Sequence, residues 1–209
     1  MTKQDKVKEI IARLSKTYPH PATALLYKNP LQLLIATILS AQANDKVVNQ
    51  VTPGLFQKYK SAEALAKADI KELAQDLGKI NFRNNKAKNI IAACKIITQK
   101  YNGEVPKTMQ ELDALPGVAR KTANVVLGNA FHKAEGIAVD THVIRLSQKL
   151  GLTDSKDPVK IEQDLMQIVP KDKWIDFSHL LINFGRDYCP ARPHKCDPCP
   201  LGHLCPDLK

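Results

Sequence analysis

Apolar residues in this chain recur at three- and four-residue intervals almost from end to end, and no stretch alternates with period two. That pattern asks for helices that each bury one face and leaves no segment suited to a pleated sheet. Val7, Ile10, Ile11 and Leu14 make the first such face, stopped by Pro19 and Pro21. Asn29-Pro30 offers an N-cap and a first-turn proline to Leu31–Leu39, a segment so apolar on every side that it has to be buried. After the polar turn Ser40–Asp45, Val47, Val48, Val51 and Leu55 form another face, and Asp69 can cap Ile70–Leu77. Gly78–Asn85 reads as a loop before a long helix over Lys86–Tyr101, carrying Ile90, Ile91, Cys94 and Ile97. Asp157-Pro158 opens a helix through Ile168, and Trp174–Tyr188 forms the last long one. The expected fold class is all-α.

Between these helices lies the stretch with the most chemistry, Leu115 to Val143. Leu115-Pro116-Gly117-Val118-Ala119 is a tight apolar turn between two helical patterns, the first capped by Thr108 and the second running over Ala119–Ala130. A turn of this kind aims several backbone N–H groups in one direction, as a phosphate requires. Lys121 stands in the first turn of the second helix beside Arg120, and Asp140 opens a further helix as its N-cap. Each of these residues has an ordinary structural role open to it: connector, solvated lysine, cap. Their order in the chain is what raises a catalytic reading.

Charge and cysteines narrow the class. The net charge of +10 favours a polyanionic partner. The most apolar run, Leu31–Gln42, falls short of the roughly 20 residues a bilayer crossing needs, and MTKQDKVKEI is not a signal peptide. A cytoplasmic protein is expected, in which structural disulfides are rare. Cys189, Cys196, Cys199 and Cys205 follow the spacing C-x6-C-x2-C-x5-C, while Cys94 stands apart. Four cysteines so close point to a metal site, and spacing alone leaves zinc and an iron–sulfur cluster both open.

LPGVARKTANVV and AVDTHV resemble the helix–hairpin–helix and catalytic loop of the endonuclease III family of base-excision DNA glycosylases. The resemblance runs from about Val7 to Pro206. It implies a six-helix domain over 23–135 that holds the hairpin, and a second domain from 1–22 and 136–209 around a [4Fe-4S] cluster on the four cysteines. It implies Lys121 and Asp140 as catalytic residues, and a monomer that acts on damaged double-stranded DNA in the cytoplasm, associated with the nucleoid. The DNA contacts it implies are Gln42, Phe82, Leu115, Gly117, Ala119 and Arg120, with Arg192 and Lys195 from the basic loop between the first two cysteines. Gln42 would fill the space left by an extruded base, and Phe82 would wedge between bases of the opposite strand.

Two positions depart from the family pattern. Ala119 stands where the hairpin usually has a second glycine, which alanine can replace if the backbone has already entered the helix with negative φ. Asn81 replaces the usual glycine before Phe82. The implied activity is removal of oxidised pyrimidines, followed by strand cleavage at the abasic site through a lysine Schiff base. Alternatives are a mismatch-directed glycosylase of the same superfamily and a non-catalytic DNA-binding module. Lys121 argues against the first, and Lys121 with Asp140 against the second.

Overall fold

The computed structural model describes residues 1–194, 196 and 198–205. All regular structure among them is helical, and the chain divides into two units, each with its own apolar core. One unit is Ala24–Lys133; the other joins Met1–Thr23 to Ala134–Lys209.

The Ala24–Lys133 unit is built around α2 (Pro30–Ser40). Asn29 Oδ1 accepts from the Gln32 N–H at 2.9 Å, and Pro30 takes the first turn, where a missing N–H costs nothing. Every residue from Leu33 to Leu39 is buried, as a helix apolar on all sides requires. Around it lie α3 (Asp45–Lys58), α6 (Arg83–Tyr101) and α8 (Arg120–Phe131). The short helices α4 (Ala62–Ala66) and α5 (Ile70–Asp76) pack on α6, and α7 (Met109–Asp113) packs on α8.

The α6 helix begins at Arg83, three residues before the expected Lys86. Its N-cap is Phe82, held at φ +56° with no side-chain cap, so no local signal marks the start. The α4 helix has no periodic signature in the sequence: it spans five residues, too few for periodicity to show, and Ser61 caps it.

In the other unit α1 (Lys3–Thr17) opens with a reciprocal capping box between Thr2 and Asp5. Its Val7, Ile10 and Leu14 are fully buried in one core with Leu146 of α9 (Thr141–Lys149), Ile161 and Leu165 of α10 (Pro158–Ile168), and Phe177 and Leu180 of α11 (Trp174–Asp187). The α9 and α11 helices pack closely at Gly185, where a Cβ would lie 2.6 Å from His142 Nδ1. No described helix is long and apolar enough to cross a membrane.

Candidate active site and DNA-contact residues

The hairpin is held from inside. Leu115 (3 % exposed) and Val118 (6 %) plug the turn between α7 and α8 into the core, and the Val118 N–H donates to Leu115 O at 3.1 Å. At Leu115, one of the expected DNA contacts, the side chain is in the core and the N–H donates to Leu112 O at 3.0 Å. Leu115 anchors the turn. Gly117 faces solvent at φ +77°, and a Cβ there would come within 2.9 Å of Asn89 Cβ on α6. Handedness and space both demand glycine.

Ala119 is tolerated for a reason other than the expected one. Its φ of −105° is negative, but its ψ of 167° is extended: it is the N-cap of α8, not part of the helix. Alanine has no side-chain oxygen, so the first amides of α8 receive no capping side chain. They are presented at the positive end of a twelve-residue helix. Lys121, second in that helix, is exposed, Arg120 is half-buried, and Ala123, Val126 and Leu127 are fully buried beneath them. A lysine at the positive end of a helix is electrostatically misplaced by about 0.3–1 kcal/mol.

In the same unit Gln42 and Phe82 share an unusual backbone. Both are left-handed, at φ +53° and +56°, and Phe82 is 65 % exposed. For side chains with a Cβ that costs on the order of 1–3 kcal/mol each, and for an aromatic it is rare. The two loops are joined by Asn81, whose Nδ2 donates to Gln42 O at 3.0 Å. A second tie comes from Lys86: it is buried, and its Nζ donates to Leu39 O (2.8 Å) and Ala41 O (2.7 Å) at the C-terminal end of α2. Burial pushes its pKa below the ordinary lysine value. The sequence did carry a signal for this lysine, since Lys86, Ile90, Cys94 and Ile97 fall on one helical stripe.

The remaining residues belong to the other unit. Asp140 caps α9, with Oδ1 accepting from the N–H groups of His142 and Val143 at 2.9 Å each. Both bonds fall on one carboxylate oxygen. Nearby His179 is buried, which pushes its pKa below the usual histidine value; Asp176 and Asp140 oppose the shift, and Arg186 adds to it.

Cys189, Cys196, Cys199 and Cys205 line one apolar cavity with Leu146, Leu150, Phe184 and Leu201, and none is in a disulfide. Burial raises the Cys199 thiol, and the other three cysteines raise it further. Arg145 of α9 donates to Cys189 O at 2.6 Å and to its Sγ at 3.6 Å. Among the described residues no three His, Cys, Asp or Glu side chains close around the small volume of a single ion. Four thiols gathered on one cavity are a donor set of the kind that both zinc and an iron–sulfur cluster take. Cys94 is buried in α6 with its thiol pushed up to about 12, an inert position. Arg192 is exposed, with its carbonyl oxygen 2.8 Å from His194 Nδ1. Lys195 lies outside the described residues.

Residues 35–171 match the HhH-GPD superfamily of base excision DNA repair proteins. Over 208 residues the chain is 52 % identical to endonuclease III of Synechocystis sp., covering all of this chain and 95 % of that one. To endonuclease III of Escherichia coli it is 41 % identical, covering 94 % and 93 %. The chain belongs to the endonuclease III family. The solved structure of a trapped endonuclease III–DNA covalent intermediate superimposes with a TM-score of 0.93 at 43 % identity, over all of this chain and 97 % of that one. A thermostable thymine-DNA glycosylase shares the fold at 24 % identity and TM-score 0.87. Membership of the endonuclease III family makes the chain a base-excision repair DNA glycosylase and lyase.

Proposed function

We propose that the enzyme removes oxidised pyrimidines from duplex DNA and cuts the resulting abasic strand, with Lys121 as the nucleophile. The reading rests on the exposed Lys121 in the first turn of α8, directly after a hairpin whose helix has no capping side chain. The amides suit a backbone phosphate, and that contact would hold the sugar against the amine. A stacked base hides its glycosidic carbon, so the nucleotide turns outward first, with Gln42 and Phe82 replacing the lost stacking.

The neutral Lys121 amine attacks the sugar C1′, the bond from C1′ to the base breaks, and the base departs with the electron pair. Opening of the sugar ring yields an imine between Nζ and C1′. The imine acidifies the C2′ proton, whose loss expels the 3′ oxygen and breaks the strand. Asp140, whose Oδ1 caps α9, accepts the proton from Lys121 or stabilises positive charge on the sugar. Cys189, Cys196, Cys199 and Cys205 would hold a [4Fe-4S] cluster, whose contribution is a four-point link that orders the C-terminal segment. Gly117, Ala119, Arg120, Arg192 and Lys195 would contact the phosphates. We take the enzyme to act as a monomer on the chromosome in the cytoplasm.

The test is covalent trapping with borohydride on a duplex that carries one oxidised pyrimidine. The parent enzyme traps, and Lys121→Ala does not, while its affinity falls modestly and its salt slope by about one unit. Trapping by Lys121→Ala would remove the lysine from the mechanism.

A further inference from the structure

Asn81, Gln42 and Phe82 meet at one place in the Ala24–Lys133 unit, and the contact between their loops is a side chain that the reaction itself does not need. Gln42 O accepts the Asn81 Nδ2 hydrogen bond at 3.0 Å. Because a carbonyl oxygen only accepts, the amide must present its NH2 group, and the bond has one chemical sense. Both invading residues are left-handed, so each backbone is held away from its relaxed conformation by its surroundings. Those surroundings are shared. Lys86 reaches from the first turn of α6 to Leu39 O and Ala41 O, Arg83 Nη1 closes back on Gly78 O at 3.0 Å, and Asn81 spans the gap at the exposed tip. A glycine at position 81 has no group to make the last of these bonds.

We propose that Asn81 is a positioning residue that locks the Gln42 and Phe82 loops into one two-pronged element, so that the two side chains enter a duplex as a pair. The proposal rests on the reading of both as duplex-invading residues. With the strut in place the two positions share one conformational setting, and loss of either prong devalues the other. Without it each loop settles independently and their contributions multiply. Lys86, being buried, sets the base of both loops, while Asn81 sets the distance between their tips.

The test is a double-substitution cycle on affinity for a duplex containing a tetrahydrofuran abasic analogue, which the enzyme cannot cut. Gln42→Ala and Phe82→Ala are measured singly and together, first with Asn81 present and then in the Asn81→Ala background. With Asn81, the pair should bind about three- to tenfold better than the product of the single losses predicts, the scale of one hydrogen bond. In Asn81→Ala the losses should multiply to within about twofold, with thermal midpoint and single-strand affinity unchanged. Asn81→Asp keeps the shape but has no NH2 group, and should behave as Asn81→Ala does. Coupling that survives either Asn81 substitution overturns the strut, as does the absence of coupling in the parent when both single losses are clear. If neither Gln42→Ala nor Phe82→Ala weakens binding at all, the invading-residue reading fails, and the strut falls with it.

Discussion

Replacing Gly117 with alanine tests the hairpin where its geometry is tightest. At φ +77° an L-residue carries about 1–2 kcal/mol of backbone strain. The new Cβ also lands 2.9 Å from Asn89 Cβ and 3.0 Å from its Nδ2, an overpacking that costs about 1–3 kcal/mol. Together these come to about 2–5 kcal/mol, or a fall of roughly 4–20 °C in thermal midpoint for a chain of this size. Duplex affinity should fall with it, because the turn that aims the α8 amides must shift. Second-site changes sort the causes. Asn89→Ala keeps the nearest clashing atom and should restore little. Asn89→Gly removes that atom, at about 1 kcal/mol for a glycine inside α6, and should relieve the steric part while the φ strain stays. Midpoints by calorimetry and affinities by fluorescence anisotropy measure both. A Gly117→Ala enzyme within about 2 °C of the parent, or one fully rescued by Asn89→Ala, would refute the argument.

Asp140→Asn keeps an Oδ1 acceptor and should leave the thermal midpoint nearly unchanged, while single-turnover base excision slows by roughly two to four orders of magnitude. Asp140→Ala should lose the cap as well, a further 0.5–2 kcal/mol or so; an Asn variant that is unstable but fast would make the aspartate only a cap. Cys199→Ser should lose iron and visible absorbance in anaerobically purified protein, whereas Cys94→Ser, altering a buried thiol that does not line the cavity, should keep both. Buried His179 has its folded pKa below the ordinary 6.5, so the unfolded chain binds the extra proton first. Its contribution to stability is complete above pH 6.5 or so and declines below that, down to its folded pKa, and His179→Gln should flatten that acid limb in denaturant titrations at stepped pH.

Local chemistry made much of this molecule legible in its sequence. Asn29, Asp69, Thr108, Asp140 and Asp157 all cap the helices that follow them, because a cap needs only its own side chain and the next three residues. The buried faces of α2 and α8 were readable for the same reason, as periodicity is a property of a single helix. What escaped depends on partners distant in the chain. The start of α6 is set by Phe82 in a left-handed conformation that its loop imposes, and nothing in Arg83-Asn84-Asn85 announces it. The Asn81 bond to Gln42 spans 39 residues, and the Lys86 bonds span more. Leu115 showed its apolar character but not its direction, which is into the core.

The unit that holds the four cysteines is assembled from both ends of the chain, and this has a consequence for synthesis. The α1 helix leaves the ribosome early with Val7, Ile10 and Leu14 on one face, yet the α11 residues that cover them follow roughly 160 residues later. At about 5–20 residues per second that is a wait of roughly 10–30 s with an apolar stripe uncovered. The Ala24–Lys133 unit has no such delay, since all of its core residues are contiguous in sequence. It can close while the rest is still being made. Folding of the nascent chain therefore runs from the middle outward, and α1 is among the last helices to find its place.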